Sequence, residues 1–154
     1  MSVESRPVHF RCEPDPENPG WSFYELGPEG AYNRAVLGTL LVRREDDLCR
    51  VRLPIQPHHI NTAGRIHGGI LLGLVDVGMF AGFYILNGVE PAGGVTVDVQ
   101  CQFIGPGDAS RPLDMIVEIA KETGRMFFVR GKLVQDDDLV ASFTSLGRKP
   151  SLRK

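Results

Sequence analysis

Asp76 is the only charged residue in a run of nineteen, GGILLGLVDVGMFAGFYIL, at positions 68–86. An ionised carboxylate among leucine, valine and phenylalanine side chains is costly unless it is paired or hydrogen-bonded. Burial also tunes carboxyl groups toward work as a base or nucleophile. The sequence therefore predicts a buried aspartate with a job. Just ahead of the run stand Asn61, Gly64 and His67, and Gly68 and Gly69 open it. Glycines at a helix start leave backbone N–H groups open to a close ligand, and the helix dipole adds partial positive charge there. Gly69 and Asp76 are seven residues apart and so share nearly one helix face, yet sit about 10 Å apart along the axis.

Positioning these groups requires one long helix and something to cover it. The apolar run predicts the helix, greasy nearly all round. Gly73, Gly78 and Gly82 each cost about 1 kcal/mol in a helix interior relative to alanine, which points to close approach by a neighbouring element. Strands are expected at 35–44, 48–55, 94–104, 113–121, 126–135 and 139–147, separated by turns such as EDD, GPGDASRP, ETGR and QDDD. In VTVDVQCQF, Val95, Val97, Val99, Cys101 and Phe103 alternate with Thr96, Asp98, Gln100 and Gln102, which predicts a wet face carrying the second set. The resulting order is two strands, one helix and four strands. Residues 1–34 read as a partly irregular N-terminal extension with a proline-rich lead-in at 13–20, 35–148 as one domain, and 149–154 as a tail.

Composition narrows the function classes. The net charge is −2 over 154 residues, so a nucleic-acid partner is not expected. Three scattered cysteines without a C-x-x-C pair favour reduced thiols in the cytoplasm, and the first twenty residues lack the apolar core of a signal peptide. Residues 68–86 are long enough to cross a bilayer, but Asp76 near their middle and the sheet-like remainder argue against a span. His58 and His59 lack an H-E-x-x-H context, so no metal is expected. There is no G-x-S-x-G, and no cysteine lies in an electropositive turn, so a serine or cysteine triad is unsupported. The acidic run Asp136–Asp138 reads as a solvated turn.

The stretch HHINTAGRIHGGILLGLVDVGMF, at 58–80, closely resembles the signature of hotdog-fold acyl-CoA thioesterases of the PaaI-like type. The likeness rests on Asn61, Gly64, His67, Gly68, Gly69 and Asp76, is supported by GGVTVDVQCQF further on, and extends over roughly 36–148. It implies an α+β hotdog fold, an antiparallel sheet of about six strands wrapped around one central helix. It also implies homodimers, or dimers of dimers, with active sites at the subunit interface. The activity implied is hydrolysis of an acyl-CoA to free acid and coenzyme A, with coenzyme A entering as part of the substrate and no further cofactor.

On that resemblance, Asp76 serves as base or nucleophile, and Gly68 N–H as oxyanion donor with Gly69 assisting. Asn61 helps hold the carbonyl or water, or is only a turn residue. His67 caps the helix and braces its loop, or is catalytic. Thr96 orients water, or is an ordinary strand threonine. Arg125, in the KETGR turn, and then Arg148 and Lys149 are expected to meet coenzyme A phosphates. Phe80, Phe83, Tyr84 and Phe103 line an acyl pocket or fill the core. Two other classes stay open at this point: a hotdog hydratase or dehydratase, and a non-catalytic acyl-CoA-binding protein.

Overall fold

The computed structural model describes residues 9–151. Eight strands form one antiparallel sheet: β1 (Phe10–Pro14), β2 (Ser22–Leu26), β3 (Leu40–Glu45), β4 (Leu48–Leu53), β5 (Val95–Phe103), β6 (Leu113–Glu122), β7 (Met126–Gln135) and β8 (Asp138–Arg148). Their spatial order is β1-β2-β3-β4-β6-β7-β8-β5, so β5 lies at one edge although it follows the helix directly. The sheet wraps around α1 (Gly68–Asn87) in a hotdog fold.

Two strands more than expected are present. β1 and β2 pair with each other over Phe10↔Leu26 to Pro14↔Ser22, and β2 adds to β3 through Ser22↔Val42 to Tyr24↔Leu40. Residues 10–26 thus lengthen the sheet where the sequence suggested a partly irregular extension. Residues 35–37, expected as strand, belong instead to a short helical turn, Asn33–Leu37. Gly38 ends that turn at φ 79°, a left-handed conformation that glycine adopts without strain.

The helix starts where His67 caps it and stops at Gly88, whose φ of 72° is the left-handed C-cap; the Gly88 N–H bonds to the Tyr84 carbonyl at 2.7 Å. Its sheet-facing side is fully buried at Leu74, Val75, Met79 and Ala81. Phe83 stacks on Phe127 of β7 with ring centroids 4.1 Å apart. The helix glycines do admit close neighbours. A Cβ on Gly82 would lie 2.6 Å from Val117 Cγ1, one on Gly78 would strike the Met115 sulfur, and one on Gly73 would strike the Tyr32 hydroxyl. This is the one helix among the described residues long and apolar enough to cross a membrane, and it is the core helix of the fold.

Candidate active site

The loop before α1 is held from several directions. His59, fully buried, accepts the Gln56 N–H on Nδ1 at 3.0 Å and donates from Nε2 to the Val36 carbonyl at 2.7 Å. Burial pushes the His59 pKa down, which keeps the ring neutral and suited to this donor–acceptor pattern. Asn61 folds the next turn: its Oδ1 accepts from Ala63 N–H at 2.9 Å and Arg65 N–H at 3.0 Å. That commits the Asn61 carbonyl oxygen to the loop and leaves only Nδ2 to meet a substrate. The His67 N–H then bonds to the His59 carbonyl at 2.8 Å.

At the helix start, His67 Nδ1 accepts the Gly69 N–H at 2.8 Å. The capping role expected of His67 is therefore what the geometry supplies, and the Gly69 amide is not free to assist an oxyanion. Gly68 N–H has no acceptor among the described residues. It is the open amide of this helix end, and the half-exposed ring of Phe103 lies beside it, 3.5 Å from where a Gly68 Cβ would stand.

Asp76 is not buried. The sheet leaves one narrow stripe of α1 uncovered, and Gly69, Leu72 and Asp76 lie on it exposed, with Phe80 half-buried at its end. Spacings of three and four residues keep these positions on one helix face. The burial expected of this carboxylate is therefore absent in the single chain, where it faces solvent and Thr96. Thr96 Oγ1 donates to Asp76 Oδ1 at 2.6 Å.

Thr96 reaches Asp76 because β5 carries a bulge. The register runs Thr96↔Gly147 and then Asp98↔Leu146, leaving Val97 unpaired against β8. An extra residue reverses which side chains face inward. Hence Thr96 shares the inner side with Val99 and Cys101, while Val95 and Val97 turn out to solvent. The wet face expected from simple alternation holds only after the bulge, for Asp98, Gln100 and Gln102.

Around Asp76 and Thr96 lies a cleft of ≈ 220 Å³, bordered by Phe80 and Val77 of the helix, by Leu26 and Asn33, and by the 91–94 loop. A second cleft, ≈ 410 Å³, gathers Arg125, Arg148 and Lys149. Arg148 pairs with Val95, next to Thr96, so this basic cleft adjoins the start of β5. Lys149 is already engaged: its Nζ donates to the Thr123 carbonyl at 2.7 Å and pairs with Glu122. Arg125 and Arg148 have no ion-pair partner among the described residues. Burial raises the pKa of Cys12 and Cys101 and takes Cys49 up to about 12, so none supplies a thiolate near neutrality.

The sequence-derived residues thus fall into three groups. Asn61, His67, Gly68 and Gly69 build the helix start, Asp76, Thr96 and Phe80 share a cleft, and Arg125 and Arg148 share another. Phe83 is core rather than pocket. Along the helix, Gly68 and Asp76 stand about 12 Å apart at 1.5 Å per residue, too far to serve one carbonyl together. Leu26, Asn33 and the 91–94 loop were not anticipated, because no motif marks them.

A sequence profile described as "Acyl-CoA thioesterase N-terminal domain" matches residues 56–146, more than half of the chain. The chain belongs to this acyl-CoA thioesterase family. This thioesterase-family chain is 33% identical over 101 residues to the protein named "Putative esterase PA0474" of Pseudomonas aeruginosa, covering 65% of itself and 74% of that protein. The BH2602 protein of Bacillus halodurans, solved with CoA, superposes with a TM-score of 0.59 at 30% identity, over 71% of this chain and 72% of that one. The Escherichia coli PaaI protein of the phenylacetic acid degradation operon shares the fold at a TM-score of 0.63 and 19% identity, over 80% of this chain and 87% of its own.

Proposed function

We propose that this chain hydrolyses acyl-CoA thioesters at a site shared by two copies, with Asp76 of one copy and Gly68 N–H of the other. What carries the reading is the pairing of a carboxylate, fixed by Thr96 on one oxygen and open to a cleft on the other, with an N–H at the start of the same helix that has no acceptor among the described residues. Asp76 takes a proton from water as the water attacks the thioester carbonyl, or attacks it directly to form a mixed anhydride that water then hydrolyses to the free acid and the restored carboxylate. The developing oxyanion accepts from Gly68 N–H, the C–S bond breaks, and the thiolate of coenzyme A leaves and takes up a proton. Water is the only co-reactant, so no cofactor is required.

The edge strand supplies a reason for two copies. Among the described residues, β5 has one unpaired edge, and Val95, Val97 and Phe103 on it are exposed. An apolar free edge is a template for pairing with another strand. Thr96 at the start of β5 touches Asp76, and Phe103 at its end touches the Gly68 position. Antiparallel pairing of β5 with a second β5 sets the start of one against the end of the other. It thereby brings Asp76 of one copy toward Gly68 of its partner and spans the 12 Å that separates them within a chain. The dimer is then the smallest active unit.

Arg125 and Arg148, beside the start of β5, offer guanidinium groups to the coenzyme A phosphates. BH2602, solved with CoA, supports that ligand class. Three free thiols suit a cytoplasmic setting.

The test is thiol release from aromatic, short-chain and long-chain acyl-CoAs, with Asp76→Asn alongside. The expected result is release that falls about a hundredfold or more in the variant while its melting temperature holds. Binding of acyl-CoA without release from any of them would instead mark a binding protein.

A further inference from the structure

Part of the Asp76 cleft comes from outside the span that the family profile covers. Leu26 ends β2 and Asn33 opens the Asn33–Leu37 turn; both line the cleft, and both precede residue 56. Their placement is well fixed. Tyr32 rests its hydroxyl against Gly73, three residues before Asp76 on the helix, where any side chain would displace it. Behind Asn33, the Val36 carbonyl accepts from His58 Nε2 at 2.8 Å and His59 Nε2 at 2.7 Å. The turn is thus tied both to α1 and to the loop that leads into it.

The Asn33 side chain is half-buried, and neither end of its carboxamide has a hydrogen-bond partner among the described residues. Neither atom of that carboxamide is a buried unpartnered atom, so both keep access to solvent and are free to meet a ligand in the cleft. Within the cleft, the other polar side chains are Asp76 and Thr96, which already bond to each other. Leu26, Val77, Phe80, Pro91 and Ala92 make the remaining surface apolar. At ≈ 220 Å³ the space falls below the roughly 300–1,000 Å³ of pockets that enclose drug-sized ligands. A short acyl chain fits such a volume.

Resting on the reading of this cleft as the acyl site, we infer that Asn33 is a specificity-determining residue whose carboxamide hydrogen-bonds a hydroxyl or keto group on a short acyl chain. An unsubstituted chain of the same length leaves the carboxamide facing hydrocarbon, and the enzyme discriminates against it on that account. The preference acts through the N-terminal segment and leaves the Asp76–Thr96 chemistry untouched.

The experiment compares kcat/KM for butyryl-CoA with the 2-, 3- and 4-hydroxybutyryl-CoA isomers, in the wild type and in Asn33→Leu. The expected wild-type result is a preference of about tenfold for one hydroxy isomer over butyryl-CoA, the worth of one net hydrogen bond. Asn33→Leu is expected to erase that preference, bringing kcat/KM for that isomer and for butyryl-CoA to about the same value. A preference that survives the substitution, equal loss on all four esters, or no wild-type preference among them would overturn the assignment. Should the leucine variant melt early, Asn33→Ala, which needs no added volume, provides the same comparison. Wild-type protein that releases thiol from none of the esters would remove the thioesterase reading itself, a result distinct from hydrolysis without discrimination.

Discussion

A methyl group added at Gly82 would lie within 3.0 Å of three atoms of Val117, whereas one added at Gly68 would meet only the Phe103 ring, at 3.5 Å. Both glycines belong to one helix, yet they face different surroundings. On the sheet-facing side, Gly78 and Gly82 make room for Met115 and Val117 of β6, and the absent side chain serves packing. At the helix start, Gly68 lies in ordinary contact distance, and what matters is its backbone N–H. Asp76 belongs with the second set: it lies on the uncovered stripe, where it can meet a substrate, instead of in the core where its apolar neighbours in sequence suggested. A residue's role on this helix follows from the side it faces more than from its type.

Removing the Gly68 N–H should break the open-stripe half of that contrast with the largest effect. Gly68 is the first helical residue, and His67 before it is extended at φ −65°, ψ 136°, a conformation that precedes proline comfortably. Gly68→Pro therefore deletes the amide hydrogen with the helix retained. Steady-state kinetics should register a drop in kcat of about a hundred- to a thousandfold, the usual cost of one oxyanion donor. Full turnover in a folded Gly68→Pro protein would exclude the role. Thr96→Val, which removes the hydrogen bond to Asp76 but keeps the branched shape, should lower kcat by about tenfold with little change in KM.

On the packed side the expectation reverses. Gly82→Ala crowds Val117, at a cost of about 1–3 kcal/mol for overpacking, against about 1 kcal/mol returned by helix propensity. The net effect is a fall of a few degrees in melting temperature with kcat/KM for the folded enzyme unchanged, read by thermal denaturation and thiol release together. Loss of activity at full stability would contradict the division into two sides.

The smallest effect concerns the loop that carries the helix start. His59 has a pKa held below its ordinary 6.5 by burial, so below that pH the unfolded chain takes up a proton that the folded chain resists. Stability should be complete above about pH 6.5 and decline as the pH falls beneath it. His59→Gln should flatten that decline in melts recorded between pH 7.5 and 5; an unchanged slope would remove His59 as its source.

Much of this was legible in the residues. The apolar run marked α1 almost to the residue, because residues 68–86, charged only at Asp76 and flanked by His67 and by Asn87-Gly88, leave little alternative. The six strands β3–β8 were visible from β-branched runs between polar turns. β1 and β2 were not, since FRCEP and SFYEL are five residues each and owe their strand form to pairing with one another and with β3. The bulge at Val97 is a property of register against β8 and leaves no mark in the alternating pattern. Asp76's exposure depends on where the sheet stops wrapping, which composition does not encode. Asn33 escaped notice for the same reason: chain folding, not spacing, carries it to the cleft.

The central claim is that Asp76 and Gly68 act together from different copies. Hybrid dimers of Asp76→Asn and Gly68→Pro chains, formed by co-refolding equal amounts, test it most directly. Each hybrid contains one site built from an intact Gly68 and an intact Asp76. Half of the dimers being hybrids with one of two sites restored, thiol release should recover to about a quarter of the wild-type rate. A mixture no more active than its two parents, with hybrid dimers demonstrably present, would contradict the shared site.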